Sequence, residues 1–339
     1  METFVAFLAC AIAGFVNGSY ASPIKNMASL EKATIWFYFS FLAFLIVPVI
    51  SIILIDHTAF SVIKGVPDKY LAALFSGGFI FGVGMVLFTL CLDKLGMGIA
   101  FILNISLGTI GGSLLPLFVF HHDVFFTEFG QVNFIALILF ILAISISTYA
   151  VHLRDLGKNK GNVQKNTLLG LVLGVLSGLF CAMQGFVYAY SLSTFKAVAP
   201  LFNATPYAAI NIPWLVIFSA ALIPYALFQL YLQVRSHSFI NIFKKAYIKN
   251  LKWLFIMGLL YFISILIYSK AVLTLGQFGQ ILAWPLFMTF IILSSNLWSI
   301  VHGEWHGSSV KSRAVFIIGV LIIILAVIML GYATLIRTA

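Results

Sequence analysis

Long apolar stretches separated by short polar segments dominate this 339-residue chain. A helix needs roughly 20 apolar residues to cross a bilayer, and we predict ten such spans. They cover residues 3–22, 33–55, 70–92, 97–120, 132–150, 167–191, 207–230, 253–269, 277–301 and 314–336. The pattern therefore predicts an all-α polytopic membrane protein with ten transmembrane helices.

Charged side chains lie outside the predicted spans. None of the 19 basic, 9 acidic and 7 histidine residues falls inside a predicted span. A charge at the bilayer centre costs several kcal/mol, so real spans should exclude charges in this way. Hydrophobic residues also make up 62% of the chain and the mean hydropathy is +1.11, whereas soluble domains contain about 45–50%. Lipid must therefore be the solvent for most of the protein.

The basic residues predict an orientation. When the sides of the ten spans alternate, most Lys and Arg residues fall on one side. The other side holds Lys64, Lys69, Lys196, Lys270 and Arg337. The positive-inside rule places the basic side in the cytoplasm, so we expect an inner-membrane protein with both termini in the periplasm. The net charge of +10 then indicates contact with anionic membrane lipid, not with nucleic acid.

The cysteines and the N-terminal segment do not indicate a disulfide, a cofactor site or a cleaved leader. Cys10, Cys91 and Cys181 each lie in an apolar stretch without metal-ligand spacing, so neither a disulfide framework nor a cofactor is expected. Residues 1–22 carry Glu2 but no Lys or Arg ahead of the apolar run. We therefore interpret this segment as a retained first span, not a cleaved signal peptide.

The two halves of the chain show a weak internal repeat. Residues 93–120 align with residues 273–300, which matches Leu95-Gly96 with Leu275-Gly276 ahead of a long span in each half. We predict an N-terminal five-helix repeat over 1–155 and a C-terminal one over 156–339. An odd number of spans inverts the second repeat relative to the first. Inverted repeats are common in transporters, which bind substrate near the midplane between the repeats.

Glycines four residues apart recur in the predicted spans. Examples are Gly14 with Gly18, Gly78 with Gly82, and Gly174 with Gly178. Small residues at this spacing let helix backbones approach closely in lipid. The spacing predicts a compact helical bundle.

Three stretches carry a resemblance to a known family. They are the run Gly14-Phe-Val-Asn-Gly-Ser-Tyr-Ala-Ser-Pro-Ile-Lys25, the segment from Gly77 to Leu117, and Gly303-Glu304-Trp305 ahead of basic Lys311 and Arg313. These stretches resemble the L-rhamnose–proton symporter family, within the drug/metabolite transporter superfamily. The resemblance implies proton-driven sugar uptake across a bacterial inner membrane, with a small sugar and protons as the partners.

Proton coupling conflicts with one feature of the spans. A proton-coupled carrier usually places a titratable group in its path, but no predicted span contains Asp, Glu or His. Gln280 occupies a position where the resemblance implies an acidic residue. Either a helix-end group such as Asp93 or Glu304 handles the proton, or the chain is a sugar facilitator without proton coupling.

Polar and aromatic side chains inside the spans are the candidate substrate-binding residues. Sugars are recognised by hydrogen bonds to their hydroxyl groups and by stacking on aromatic rings. The candidates share a span position next to a glycine, aromatic or proline neighbour, and we expect them to bound a central polar cavity. They are Asn17, Tyr20, Asn104, Gln184, Tyr188, Asn211, Gln277, Gln280 and Trp284. The alternative for each candidate residue is a structural role, in which its side chain forms an interhelical hydrogen bond and binds no ligand.

Other function classes stay open to different degrees. A drug or metabolite exporter is compatible with the same fold, although it too would need a coupling carboxylate. A membrane-embedded enzyme would need catalytic side chains at bilayer depth, and their absence from the spans argues against one. The leading prediction is a secondary transporter for a small sugar, L-rhamnose or a related monosaccharide, that works by alternating access between the inverted halves.

Overall fold

The computed structural model describes residues 2–27, 31–158, 167–236, 245–303 and 305–338. All regular secondary structure in these ranges is helical. The α-helices are α1 (Glu2–Gly18), α2 (Lys32–Phe41), α3 (Val47–Ile55), α4 (Ala59–Gly65), α5 (Asp68–Thr109), α6 (Leu115–Phe120), α7 (His122–Phe125), α8 (Glu128–Lys158), α9 (Thr167–Val198), α10 (Pro206–Arg235), α11 (Lys245–Leu275), α12 (Gly279–Val301) and α13 (Val310–Thr338). The prediction of an all-helical protein is confirmed.

Nine stretches of the described chain are long and apolar enough to cross a membrane. One of them, Lys249–Val301, is 53 residues long and contains both α11 and α12. A 3-10 turn at Gly276–Phe278 separates these two helices. Gly276 has a φ of +75°, a left-handed conformation that glycine adopts without steric cost. The ring of Tyr268 on α11 lies 4.9 Å from that of Phe287 on α12, so the two helices run antiparallel.

The longest helix, α5, also folds back on itself. In a straight helix Phe88 and Phe101 would lie about 20 Å apart along the axis. Their ring centroids are 5.0 Å apart, so the chain reverses direction between them. The two arms correspond to the candidate spans Asp68–Leu95 and Leu103–Phe120, close to the predicted spans 70–92 and 97–120. We call these the first and second arms of α5.

Two π-helical turns precede prolines. The turn Leu42–Ile46 comes before Pro48, and the turn Ile110–Leu114 comes before Pro116. Proline lacks a backbone N–H and its ring crowds the carbonyl four residues earlier. A widened turn at this position relieves the clash and leaves a carbonyl oxygen open to another partner. By contrast, α10 and α12 continue as α-helices through their internal prolines.

Glycine contacts bring the helices close together. A Cβ at Gly14 of α1 would meet the backbone oxygen of Phe287 on α12 at 2.6 Å. A Cβ at Gly178 of α9 would meet the backbone oxygen of Leu103 at the same distance. Neither position can hold a larger residue unless the helices separate. The predicted close approach at these glycines is confirmed.

The ends of the bundle differ in chemistry. Lys25, Arg154 and His302 lie around one cavity at one end, which we call the basic end. Asp56 and Thr205 meet at the other end, which we call the opposite end. Between the two ends the interior is strongly aromatic, while many Leu, Ile and Phe side chains on the periphery are exposed, as expected of a lipid-facing surface.

Candidate functional site

A layer of large aromatic side chains and one amide fills the interior towards the opposite end. We define the central cluster as Tyr188 of α9, Trp214 of α10, Tyr268 of α11, and Gln280 and Trp284 of α12. All five are at most 4% exposed. The Tyr188 and Trp214 ring centroids are 4.3 Å apart, and the Trp214 and Trp284 rings lie 6.1 Å apart at an angle of 7°. Stacked rings therefore join α9, α10 and α12, and Tyr268 of α11 meets the Trp214 and Trp284 rings edge to face.

Hydrogen bonds tie the α12 members of the cluster to α5. The Trp284 indole donates to the Gly108 carbonyl at 3.1 Å, and the Gln280 amide donates to the Gly112 carbonyl at 3.3 Å. The Gly112 carbonyl is available because Pro116, four residues later, has no N–H to offer. The Tyr268 hydroxyl donates to the side-chain oxygen of Gln280. Gln280 and Trp284 thus hold the second arm of α5 in place.

Four polar atoms around the cluster have no hydrogen-bond partner at normal geometry although their residues are fully buried. They are Ser113 Oγ, Asn211 Oδ1, Trp214 Nε1 and Ser269 Oγ. A buried polar group without a partner costs about 1–3 kcal/mol, and in lipid the penalty is larger still. Native proteins seldom retain such groups unless a ligand or a water satisfies them.

Two of these atoms converge on one point. Trp214 Nε1 and Ser269 Oγ both lie beside the hydroxyl of Tyr188. That hydroxyl donates to the Ile210 carbonyl at 3.0 Å, so its lone pairs face the Trp214 and Ser269 donors, although neither forms a hydrogen bond of normal geometry with it. An indole donor, two hydroxyls and aromatic faces at one point suit a ligand that carries several hydroxyl groups.

A cavity of about 260 Å³ opens at the basic end. Its volume lies just below the range of about 300–1,000 Å³ that is typical of drug-sized ligand sites, so it has room only for a small molecule. Its polar and aromatic lining includes Tyr20, Lys25, Asn296, Trp298 and Ser299. We call this the end cavity. It is formed by the ends of α1, α8 and α12 and by the start of the second arm of α5.

Arg154 of α8 forms one wall of the end cavity. Its guanidinium donates to Ser299 Oγ and lies 5.3 Å from the ring centroid of Trp305. On the facing side, the Trp298 indole donates to Ser19 Oγ at 2.7 Å. The polar lining is therefore built into the packing of α1, α8 and α12.

An apolar layer separates the end cavity from the central cluster. It consists of Ile105, Ile144 and Ile292, packed against Phe101 and Met288. Phe101, Ile105 and Ile292 also line the cavity. Ile105 lies three residues before Gly108, and Met288 lies four residues after Trp284, so about one helical turn, roughly 5 Å, separates the two sites.

A series of aromatic ring contacts connects the two sites along another face. Tyr20, which lines the end cavity, lies 5.2 Å from Phe39, and Phe39 lies 5.6 Å from Tyr261. Phe218 is 5.6 Å from Tyr261 and also 5.6 Å from Trp214 of the central cluster. We call this series, from Tyr20 to Trp214, the aromatic chain.

The structure brings together some of the predicted binding residues. Tyr188, Gln280 and Trp284 belong to the central cluster, while Gln184 and Asn211 are buried about one turn from Tyr188 and Trp214 respectively. The amide nitrogen of Asn211 donates to the Tyr207 carbonyl at 2.8 Å, which leaves its oxygen as the unpartnered atom described above.

Other predicted residues lie elsewhere. Asn17 donates to Ser264 Oγ of α11 at 2.8 Å, and Asn104 donates to Ser177 Oγ of α9 at 3.0 Å. Tyr20 lines the end cavity. Gln277 is exposed in the turn before α12. The predicted set therefore divides between the central cluster, the end cavity, two interhelical hydrogen bonds and the surface.

Sequence reasoning missed three residues of the central region. Tyr268 and Ser269 lie directly before Lys270 near the end of α11, and Trp214 follows Pro213 in α10. A short polar run near a helix end and an aromatic residue three positions after Asn211 were the available signals. Neither signal shows that the three residues meet.

Charged side chains are almost excluded from the interior. Of the charged residues whose side chains the structure describes, only Asp56 and Arg154 are buried. Asp56 accepts hydrogen bonds from the backbone N–H of Thr58 at 3.0 Å and from that of Thr205 at 2.8 Å. Burial alone would raise the pKa of Asp56, but these bonds and those from the threonine hydroxyls outweigh it and lower the pKa.

Thr205 connects this carboxylate to the central region. It is the N-cap of α10 and accepts from the Ala208 N–H at 3.1 Å. Asp56 thus fixes the start of the helix that carries Asn211 and Trp214. Of the two helix-end candidates for proton handling, Asp93 is exposed on α5, and Glu304 lies outside the described residues.

Membrane-spanning helices around a buried polar cluster, with a cavity at one end, define the class of this protein as a membrane transporter. The family model of the L-rhamnose-proton symport protein (RhaT) matches residues 4–335. The chain therefore belongs to that family, which is a family of symport transporters and not of enzymes. The resemblance to the rhamnose symporter family and the prediction of a transporter are confirmed.

Named relatives agree with the family match. The chain is 24% identical over 328 residues to the L-rhamnose-proton symporter of Yersinia pestis (strain Pestoides F), and the match covers 92% of each chain. The same values hold for the L-rhamnose-proton symporter of Yersinia pseudotuberculosis serotype O:1b (strain IP 31758). The similarity therefore extends over nearly the whole chain and is not confined to one motif.

Proposed function

We propose that this protein transports L-rhamnose or a related monosaccharide by alternating access, coupled to protons. The observation that carries the proposal is the set of unpartnered polar atoms around the stacked rings of Trp214 and Trp284. Sugar hydroxyls would satisfy these donors and acceptors, and the rings would pack against the apolar face of the sugar. Family membership supports the same substrate class.

The sugar's route passes between the central cluster and the end cavity. In the conformation described here the apolar layer closes this route, because Ile105, Met288 and Ile292 pack together. Transport then requires the second arm of α5 to move relative to α12, which opens the layer. The aromatic chain offers ring faces along the way and so limits the cost of removing the sugar from water.

The architecture proposed for this cycle is ten spans in two inverted five-helix repeats, 1–155 and 156–339. The packing supports it. In the first half, α1 packs on α11 and α12, and in the second half α9 packs on both arms of α5. Gly14 and Gly18 on α1 have the same spacing as Gly174 and Gly178 on α9, and both pairs lie where a neighbouring helix packs closely. The same arrangement supports placement in the drug/metabolite transporter superfamily.

The reversals of the chain also match between the halves. The first lies between Phe88 and Phe101, and the second at the turn Gly276–Phe278. These are the positions that the alignment of Leu95-Gly96 with Leu275-Gly276 pairs. A pseudo-two-fold axis in the membrane plane would relate the two hairpins, and the substrate would bind between the halves.

The proposed location is a bacterial inner membrane with both termini in the periplasm. The basic end, which carries Lys25 and Arg154 around the end cavity, would then face the cytoplasm. The cavity is therefore the cytoplasmic vestibule of an inward-facing conformation. Asp56 and His121 would face the periplasm.

A sugar facilitator without proton coupling is the second candidate. The observation in its favour is that Asp56 and Arg154 are the only buried charged residues among the described side chains, and that each lies at an end of the bundle. A symporter usually titrates a group within its path. The facilitator would equilibrate the same sugar without concentrating it.

One experiment separates the candidates. Purified protein in liposomes is given labelled L-rhamnose, with and without an inward proton gradient. Accumulation above the external concentration, only with the gradient, supports the symporter, whereas equilibration in both conditions supports the facilitator. If neither L-rhamnose nor related monosaccharides enter faster than in empty liposomes, the proposed function is wrong.

The position of the vestibule can be tested in the same assay. Ser295 lines the end cavity and is exposed to it. Ser295→Trp should fill the space and abolish uptake, while Asp68→Trp, at an exposed position in the first turn of α5 at the opposite end, should leave uptake close to that of the unmodified protein. Normal uptake with Ser295→Trp would show that the sugar does not use this cavity.

A further inference from the structure

His121 lies where α6 ends, against the turn that joins α11 and α12. Its ring centroid is 4.9 Å from that of Phe278, in an edge-to-face arrangement at 65°. Phe278 is 4% exposed, and its ring also lies 5.1 Å from that of Phe129 on α8. We call His121, Phe129 and Phe278 the opposite-end seal, because they bring three helical segments together above the central cluster.

The seal lies next to the hydrogen bond between Gln280 and the Gly112 carbonyl. Phe278 lies two residues before Gln280, and His121 lies at the end of α6, which directly follows the π-helical turn that contains Gly112. The Gln280–Gly112 hydrogen bond and the His121–Phe278 contact therefore join the same two segments, one above the other. Access from the opposite end to the central cluster requires both contacts to separate.

The seal contains a side chain that titrates near neutral pH. An unperturbed imidazole has a pKa of about 6.5. Burial against the aromatic rings lowers the pKa of His121 below that value, because the charged form loses hydration there. The sealed arrangement therefore favours neutral histidine. Its stability is fully present above pH 6.5 or so and decreases as pH falls through this range towards the lowered pKa.

Charged groups of both signs surround this position on the neighbouring elements. His122 and Asp123 follow on α7, Glu128 begins α8, and Lys196 is half-buried on α9, which packs against α6. Lys270 lies further along α11, over the ring of Tyr207. The turn Gly276–Phe278 carries no charged residue. Burial is the cause of the pKa shift of His121.

We propose that His121 is a pH-sensitive gate residue: a proton from the medium at the opposite end displaces the imidazolium from Phe278 and opens the path to the central cluster. The proposal rests on the proposed transport function and deepens it. Protonation here controls opening and does not by itself move a proton across the membrane. Under the proposed orientation, acidification of the periplasm opens this gate.

The first test measures opening without a substrate. Ser113→Cys places a thiol near the central cluster, and Gln277→Cys places one at the exposed turn, each in a background with Cys10, Cys91 and Cys181 replaced by alanine. Labelling by a membrane-impermeant maleimide is measured from about pH 8 to about pH 5. The ratio of the two rates removes the effect of pH on thiol reactivity. We expect the ratio to rise several-fold on acidification.

His121→Gln should abolish this rise, because glutamine stays neutral. The matched control is His122→Gln, since His122 is an exposed neighbour outside the seal, and it should retain the rise. A ratio that does not change with pH in the unmodified background, or that rises equally in His121→Gln, overturns the proposal. The labelling measurement needs no transported sugar. The gate proposal can therefore fail while the transport function is confirmed, and the transport function can fail while the gate proposal is confirmed.

A second measurement uses transport itself. Exchange of labelled L-rhamnose is followed in liposomes with equal pH on both sides, so that no gradient drives it. The exchange rate should increase as pH falls from about 8 to about 5 in the unmodified protein and in His122→Gln, but stay flat in His121→Gln. An unchanged pH profile in His121→Gln would contradict a gating role for this residue.

Discussion

The indole of Trp214 lies nearly parallel to that of Trp284, with 7° between the ring planes and 6.1 Å between the centroids. The two residues differ in one respect. Trp284 Nε1 donates to the Gly108 carbonyl, whereas Trp214 Nε1 lies beside the Tyr188 hydroxyl without a hydrogen bond of normal geometry. Equivalent substitutions at the two positions should therefore separate a ligand-binding role from a structural one.

Replacing Trp214 with phenylalanine keeps a ring in the stack and removes the unpartnered donor. We expect Trp214→Phe to leave the thermal stability of the protein unchanged or slightly higher. If the donor serves the sugar, the KM for uptake should rise about tenfold, the equivalent of ~1.4 kcal/mol. Melting in detergent and uptake kinetics in liposomes measure the two effects.

Trp284→Phe is the matched control. It leaves the Gly108 carbonyl without its partner, so it should lower the free energy of unfolding by about 1–3 kcal/mol. If both variants are equally destabilised and both keep the original KM, Trp214 is a packing residue and the sugar binds elsewhere.

The contact between α1 and α12 depends on glycine. We expect Gly14→Ala to destabilise the protein by about 1–3 kcal/mol, because the new methyl group would lie 2.6 Å from the Phe287 backbone oxygen. Gly331→Ala on α13 is the control, since no atom lies within 4 Å of a Cβ there. It should be neutral or slightly stabilising. Equal melting temperatures for both variants would show that α1 and α12 are not in close contact.

Asp56 should make stability depend on acid pH. Its pKa is lowered in the folded state, so its contribution is fully present above the ordinary Asp pKa of about 3.9 and is lost as pH falls below it. Asp56→Asn cannot accept the Thr205 N–H through its amide nitrogen. It should therefore be less stable than the unmodified protein at pH 7 and should lose less stability on acidification.

Thermal melting from about pH 7 to about pH 3 tests this expectation. Asp68→Asn, at an exposed position in the first turn of α5, is the control and should follow the unmodified protein. An Asp56→Asn variant with the original stability at pH 7 would mean that the link from Asp56 to α10 contributes nothing measurable.

Several features could be predicted from the sequence because each depends on local composition. Apolar runs of membrane-spanning length predicted the helices, and the exclusion of charge predicted where they end. The short gaps between predicted spans, at residues 93–96 and 270–276, lie at or next to the two chain reversals. Glycine spacing predicted close helix contacts, since a missing side chain permits them regardless of the partner.

The partners of the polar side chains could not be predicted in the same way. Hydropathy indicates that Asn17, Asn104 and Gln280 avoid lipid, but the rotation and crossing of each helix decide what they meet. Asn17 and Asn104 bond to serines on neighbouring helices, and Gln280 bonds to Tyr268 and Gly112. The sequence does not distinguish an amide that forms a hydrogen bond with a neighbouring helix from an amide that binds a ligand.

The sequence by itself determined that this protein is a helical membrane transporter of the rhamnose symporter family, because hydrophobic burial and family motifs are properties of local stretches. The tertiary structure alone decided that Trp214, Tyr268 and Ser269 join the predicted Tyr188 and Trp284, and that His121 closes against Phe278. These contacts join residues from distant parts of the chain. Their formation depends on how the helices pack, which no single stretch of sequence encodes.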